Sequence, residues 1–285
     1  MDSILITGGT GSFGQAFTKH LLGNTELERI CIYSRGEHTQ ALMRAAFNDD
    51  PRLRWFIGDV RDQARLQRAM TGVDVVIHAA ALKRIEVGNY NPDEMVKTNV
   101  LGAMNVIDAA VAAGVDRVVM LSTDKAYQPI SPYGQSKALA ESLFLAANTT
   151  TGWKHPKFTV VRYGNIAGAQ GSVIPKWREM FAKPSLVSFA HITDPECTRF
   201  WMTIQEAVDF VMMAMEAEDY NRIHIPELPA YRLGDLVMAM RGIDRYHITG
   251  LPEWEKLHEC MEDGNCSNTA RRMSVAELRE ALKNV

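Results

Sequence analysis

The sequence predicts an α/β protein, a doubly wound parallel sheet with a smaller C-terminal lobe. Three observations carry this. Short apolar, β-branched runs alternate with amphipathic helical patterns through residues 3–163, the rhythm of βαβ units. The first run opens directly onto a glycine turn, Gly8-Gly9-Thr10-Gly11-Ser12-Phe13-Gly14. Each polar cluster follows the carboxyl end of a run, where open α/β sheets bind ligands.

A chain of 285 residues, 46% apolar and 23% charged, is long enough for one large or two modest domains of ordinary globular composition. A formal net charge of −3 gives no reason to expect nucleic acid or an anionic membrane as partner. No apolar run approaches the ~20 residues that span a bilayer. Met1 is followed almost at once by a strand pattern, which leaves no room for a signal peptide. Cys31, Cys197, Cys260 and Cys266 form no CxxC and no ligand cluster, so they read as reduced thiols. A soluble cytoplasmic protein without a metal is expected.

Ser3–Thr7 is the first strand, and the helix after the glycine turn carries Phe17, Leu21 and Leu22. Gly8 and Gly11 let the backbone bend and approach a pyrophosphate. Gly14 permits close packing of helix on strand, and the helix amides face the anion. The second strand, Arg29–Tyr33, ends at Ser34-Arg35. NAD enzymes place an acid about twenty residues past the glycines to hold a ribose hydroxyl. Arg35 stands there instead, and a guanidinium suits a 2′-phosphate. Glu37, two residues on, is the alternative, a ribose-binding acid.

Leu53–Ile57 is the third strand, followed by Gly58-Asp59-Val60-Arg61-Asp62. Val73–His78 is the fourth. Ala79, Ala80 and Ala81 then offer a flat bed beneath a cofactor, with Leu82-Lys83 beyond. His78 reads as a core or strand-end histidine, because no second ligand is spaced to join it. A long helix, roughly Pro92 to Ala113, carries Thr98-Asn99 and the apolar residues Val100, Ala103, Val106, Ile107 and Ala110.

Arg117–Leu121 is the fifth strand, and Thr123, Asp124 and Lys125 follow it directly. Tyr133 and Lys137 lie four apart at the start of the next helix, whose apolar residues Ala138, Leu139, Leu143, Phe144 and Ala147 recur at helical spacing. Residues at i and i+4 share a helix face. A phenol with pKa ~10 is a poor base at neutral pH, and a nearby cation favours its ionised form. Tyr133–Lys137 is therefore a candidate proton-transfer pair. The pattern is loose, and a solvated surface pair is the plainer reading; a cofactor site upstream favours catalysis.

Lys157–Tyr163 is the sixth strand and runs into Gly164-Asn165. Regularity then weakens. Gly171–Pro175 opens a helix, Thr198-Arg199-Phe200-Trp201 is a basic-aromatic cluster, and helices are predicted at Ile204–Met215, Leu233–Met240 and Val275–Leu282, with a short strand at Ile223–Ile225. Residues 1–170 are expected to bind the dinucleotide and carry the catalytic groups. Residues 171–285 are expected to form mainly a substrate lobe, with an interleaved boundary.

With the glycine turn, Ser-Thr-Asp-Lys and Tyr-x-x-x-Lys in hand, the chain resembles the extended short-chain dehydrogenase/reductases that act on sugar nucleotides. The match is closest to the inverting UDP-N-acetylglucosamine 4,6-dehydratases of pseudaminic acid pathways. The resembling segments span nearly the whole chain: ILITGGTGSFG at 4–14, IYSR at 32–35, GDVRD at 58–62, HAAALK at 78–83, STDKA at 122–126, YGQSK at 133–137, VRYGNIAG at 161–168, GSVIP at 171–175, TRFW at 198–201 and EKLHE at 255–259. The glycine turn and the Tyr-Lys pair belong to a very large superfamily. STDKA with TRFW and EKLHE is far more selective.

The resemblance implies a Rossmann-like fold and NADP as cofactor. It places Gly8, Gly11, Ser12, Phe13, Gly14, Ser34, Arg35, Asp59, Val60, Ala79, Ala80, Lys83, Asn99, Tyr133 and Lys137 against that cofactor. A UDP-sugar would meet Lys83, Asn165, Ser172, Val173, Arg199 and Glu255. Thr123, Asp124, Lys125, Tyr133 and Lys137 form the catalytic set. Asp124 is expected as acid and Lys125 as base, each with a pKa moved toward neutral by burial and neighbours. A sugar-nucleotide 4-epimerase would need Tyr133 and Lys137 but not Asp124 and Lys125, and a retaining dehydratase would carry Asp-Glu there. An NADP-binding sensor without turnover would typically lack the Tyr-Lys pair. Tyr127 stands where the family usually has a small residue, and the segment between Glu259 and Ala276 is shorter than is usual. The two long helices, rich in Ala, Val and Leu around more than one face, predict a homo-oligomer.

Overall fold

Ile4 and Ile6 bury their side chains on one face of the first strand, and Leu5 buries its own on the other. That period of two over a wholly buried strand is the mark of a sheet covered on both sides. The computed structural model describes residues 1–152, 155–182, 190–242 and 245–285. Its central sheet is parallel and contains β1 (Ser3–Thr7), β2 (Arg29–Ser34), β3 (Leu53–Ile57), β4 (Val75–His78), β5 (Arg117–Leu121), β6 (Lys157–Val161) and the short strand Ile223–His224. The order is β3-β2-β1-β4-β5-β6 with Ile223–His224 outermost. The chain runs outward from β1 in both directions, so a crevice opens where the order reverses.

Helices α1 (Ser12–Asn24) and Ile204–Glu216 cover one face, where Phe17, Leu21, Val208 and Val211 pack on Ile4, Ile30 and Ile77. Each such fully buried side chain contributes roughly 1.5–3 kcal/mol. The other face lies under α3 (Gln63–Met70), α6 (Gly102–Ala113) and α7 (Pro132–Thr150), through Leu66, Val106 and Phe144. Between β2 and β3 runs α2 (Glu37–Ala46), while α4 (Ile85–Tyr90) and α5 (Pro92–Met95) precede α6. Beyond residue 170, part of the chain thus returns to the central sheet as a strand and a covering helix.

The long helix expected over Pro92–Ala113 is interrupted. Val96–Leu101 forms a π-helical turn between α5 and α6, a distortion common at functional sites. The lobe has its own core of Ile174, Trp177, Trp201, Tyr231, Leu236 and Leu278. A hairpin, Cys260–Glu262 against Asn265–Cys266, corrects the expectation of four reduced thiols. Cys260 and Cys266 are joined by a disulfide, and only Cys31 and Cys197 are free and buried. Antiparallel pairing places the two sulfurs opposite each other, which six-residue spacing does not reveal. No helix among the described residues is long and apolar enough to cross a membrane.

Candidate active site

The glycine turn joins β1 to α1 in a shape only glycine permits. Gly8 has φ +68°, and a Cβ there would stand 2.8 Å from the Ala80 nitrogen. A Cβ at Gly14 would overlap the Gly9 carbonyl. No side chain caps the first amides of α1, so they remain available to an anion. A cleft of about 690 Å³ opens above this turn and runs over the carboxyl ends of β1, β2, β4 and β5.

Gly8, Gly11, Ser12, Phe13, Gly14, Ser34, Arg35, Asp59, Val60, Ala79, Ala80, Lys83, Thr123, Lys125, Tyr133, Lys137 and Asn165 all line it. Arg35 is exposed beside Gly36 and Thr39, with no ion-pair partner among the described residues. Glu37 is not part of the lining. The bare amides, the glycine cradle and the exposed guanidinium fit a dinucleotide.

Other expected contacts are placed elsewhere. Asn99 is buried; it accepts from the Leu82 amide at 2.8 Å and donates to the Leu82 carbonyl at 2.9 Å and to Ser136 Oγ at 3.0 Å. It braces the loop after β4 against α7, while Thr98 beside it lines the cleft. Arg199 and Glu255 are consumed by each other at 2.5 Å, with Arg199 also donating to the Thr198 and Leu257 carbonyls. Ser172 and Val173 start the lobe helix Val173–Ala182 outside the cleft lining.

Asp124 is also absent from the surface of the cleft. It is wholly buried beneath Thr123 and Lys125, and its Oδ1 accepts from Thr123 Oγ1 and Lys125 Nζ, both at 2.9 Å. Lys125 Nζ also donates to Asn165 Oδ1 at 3.2 Å and lies 3.5 Å from Glu259 Oε1. The expectation that burial and neighbours move Lys125 toward neutral is corrected by this surrounding. Burial opposes its charge, but the Asp124 and Glu259 carboxylates outweigh burial and hold the ammonium above its ordinary range.

Tyr133 corrects a second expectation. Burial raises its phenol, and the cation that works against burial is Lys125, aided by a hydrogen bond with Thr123. Lys137 instead donates to the Leu121 carbonyl at 2.7 Å, and burial depresses its pKa to about 8 against the opposing pull of Glu141. Glu141 lies four residues on, one helical turn beyond Lys137. It is fixed by Arg162 Nε at 2.9 Å, Arg162 Nη2 at 2.5 Å and Ser122 Oγ at 2.6 Å.

Sequence reasoning missed Glu141, Arg162, Thr98 and Glu259 as parts of this site. Glu141 was within reach of the same i+4 rule that found Lys137. Glu259 was visible only as one letter of a resembling segment.

A parallel sheet in this strand order, with a glycine turn and a Tyr-Lys helix at its carboxyl edge, defines the Rossmann-type, extended short-chain dehydrogenase/reductases. Within that class the chain belongs to the polysaccharide biosynthesis protein family, whose model matches residues 4–277. The inverting UDP-N-acetylglucosamine 4,6-dehydratase of Campylobacter jejuni subsp. jejuni serotype O:2 is 46% identical over 259 residues, 91% of this chain and 77% of the relative. A UDP-glucose 4-epimerase of Rickettsia bellii is 39% identical over 266 residues, again 91% and 77%. Among solved structures, Pen from Bacillus thuringiensis superposes with TM-score 0.93 at 30% identity, covering 100% of this chain and 98% of that one. DesIV, a dTDP-glucose 4,6-dehydratase from Streptomyces venezuelae, shares the fold with TM-score 0.83 at 21% identity, covering 99% and 96%.

Proposed function

We propose that the protein is an NADP-dependent UDP-N-acetylglucosamine 4,6-dehydratase that inverts carbon 5. The observation that carries this reading is Lys125, a buried ammonium at the cleft wall with Asp124 at 2.9 Å behind it and Tyr133 beside it. A 4-epimerase has no use for that pair. The likeness to the Campylobacter jejuni enzyme supports the substrate class, and unpaired Arg35 supports NADP over NAD.

Held by the Gly8–Gly14 turn and Arg35, the cofactor would supply a hydride acceptor for carbon 4 of the sugar and a hydride donor for carbon 6. Tyr133 takes the 4-hydroxyl proton. The resulting ketone acidifies the carbon-5 proton, which Lys125 removes as a free amine. Lys125 rests as an ammonium, so its proton first crosses the hydrogen bond to Asp124. One transfer thereby creates both the base and the acid. Asp124 is sealed from the cleft, and its proton reaches the departing 6-hydroxyl through the Thr123 hydroxyl, 2.9 Å from Oδ1. The carbon–oxygen bond breaks, water leaves, and carbon 5 takes a proton, relayed through solvent from Tyr133, on the face opposite the one that lost its own. Lys125 stands where retaining relatives carry Glu, which supports inversion.

Mass spectrometry and NMR of the first product formed from UDP-N-acetylglucosamine in D₂O test this. The expected product is the 4-keto-6-deoxy L-arabino sugar, lighter by water and deuterated at carbon 5. A D-xylo product identifies a retaining dehydratase, and an isomer without water loss identifies the epimerase, the reading that the Rickettsia bellii relative favours.

A further inference from the structure

The hairpin joined by Cys260 and Cys266 is built against the turn that carries Asp124 and Lys125. Its first strand, Cys260–Glu262, lies on Asp124–Ala126. Two hydrogen bonds leave the loop toward this turn and its surroundings: the Met261 carbonyl accepts from Arg162 Nη1, and Asp263 Oδ1 accepts from the Tyr127 hydroxyl. Tyr127 directly follows Ala126, and Arg162 is the residue that fixes Glu141. Just before the loop, Lys256 Nζ donates to the Tyr127 carbonyl at 2.6 Å, and the Glu259 carboxylate stands 3.5 Å from Lys125 Nζ. Just after it, Ser267 Oγ accepts from the Glu259 amide at 2.9 Å and donates to the Thr198 carbonyl at 3.1 Å. The hairpin therefore latches the catalytic turn from behind.

The disulfide is what closes this latch most firmly. The strands pair at Cys260–Cys266 and Glu262–Asn265 with an irregularity between them, and the Ser267 amide donates to the Glu259 carbonyl at 2.7 Å beyond. A two-stranded hairpin is marginal in water without further support. Met261 is buried beside Phe200 and Ala230, but the tip of Glu262, Asp263 and Gly264 is exposed. Breaking the sulfur bond returns conformational freedom to a loop whose fixed shape aims its contacts with Tyr127 and Arg162. Cys260 and Cys266 are half-buried, whereas Cys31 and Cys197 are buried. Thiol–disulfide exchange needs access for an attacking thiolate, and the hairpin offers it.

We propose that Cys260–Cys266 is a reversible redox site through which a dithiol reductant slows water loss. The inference rests on the acid and base roles proposed for Asp124 and Lys125. One thiolate of the dithiol attacks a sulfur of the pair, and its second thiol then closes the reductant's own disulfide. The Cys260–Cys266 bond breaks, two electrons pass to its sulfurs, and the two protons given up by the dithiol complete the two new thiols. The opened hairpin relaxes its hold on Tyr127, and Lys125 loses a contact that aims its long side chain. The turn then leaves its reacting geometry, where a displacement of about 1 Å can cost about 10²-fold in rate. Residues 260–266 are not part of the cleft lining, so cofactor binding is untouched.

The test uses the full-length protein purified under air, with alkylation and peptide mass spectrometry to locate the Cys260–Cys266 bond. Dithiothreitol is then the probe. Reduction should expose both thiols to alkylation, lower kcat for water loss by about tenfold or more and leave NADP(H) affinity unchanged. Hydrogen exchange should quicken at residues 124–127 as well as in the hairpin, and reoxidation with diamide should restore both rate and protection. Cys260→Ser combined with Cys266→Ser should behave as the reduced wild type, with or without dithiothreitol.

Absence of the bond in the air-purified protein overturns the proposal. So does a reduced wild type that keeps its kcat, or a double variant that dithiothreitol still slows. Should the double variant fail to fold, the cycle of dithiothreitol and diamide on the wild type decides alone. A wild type that loses no water in either state would sink the proposed activity. Hydrogen exchange at residues 124–127 would then still report whether the disulfide controls the turn, and equal exchange in both states would end the idea.

Discussion

Burial of single titratable side chains governs much of this site. His78 is buried with Nδ1 2.8 Å from Thr7 Oγ1, and burial, with the nearby Lys137 charge adding to it, depresses its pKa to about 3. The unfolded chain, with an imidazole near its ordinary value of 6.5, takes up the proton first. The imidazole therefore costs no stability above pH 6.5 and lowers stability as the pH falls from there toward 3. Urea melts across that range should show a slope for His78→Asn that is shallower by about one proton, ~1.4 kcal/mol per pH unit; an unchanged slope counts against a neutral His78. Arg35→Ala should weaken NADP(H) binding by roughly 1.5–3 kcal/mol and leave NAD(H) nearly unaffected. Titration of both cofactors into both proteins checks it, and equal wild-type affinities refute the NADP assignment. Tyr133→Phe should bind the cofactor and fold normally while turnover drops about 10²–10⁴-fold. Near-normal turnover would remove Tyr133 from the chemistry.

At the scale of elements, α7 presents Tyr133 and Lys137 from a capped first turn. Ser131 caps it by accepting from the Gly134 amide at 3.2 Å, and Pro132 occupies the first helical position. Ser131→Ala should lower stability by about 1 kcal/mol, seen as a lower urea midpoint with an unchanged m-value. A shift of the midpoint in the other direction would show that the cap is dispensable. The alternation of strands and helices was legible along β1 to β6 because side-chain periods of two and 3.6 are local properties. The π-helical turn at Val96–Leu101 was not. It arises where Asn99 must reach the Leu82 backbone and Ser136 at once, a demand set by neighbouring segments.

On the scale of the whole molecule, Val96, Leu101, Met104, Val111 and Leu139 remain exposed on the π-helical turn, α6 and α7. By spacing Leu139 belongs to the apolar face of α7, yet it points away from the sheet that buries Ala140 and Phe144. Adjacent helices presenting such side chains to water predict a second copy packed there. Light scattering at micromolar concentration should report at least a dimer, and Leu101→Glu with Leu139→Glu should shift it toward monomer. A wild-type monomer would end the idea. By itself the sequence determined the features that short range dictates: the strand–turn–helix rhythm, the glycine cradle, the place of Arg35, and the shared face of Tyr133 and Lys137. Only the tertiary structure decided that Asp124 is sealed beneath Thr123, that Arg199 is consumed by Glu255, that Cys260 and Cys266 meet, and that Glu259 stands behind Lys125. Charge state belongs to the second group, because it depends on burial and on distances between segments remote in the chain, and no local pattern of residues encodes either.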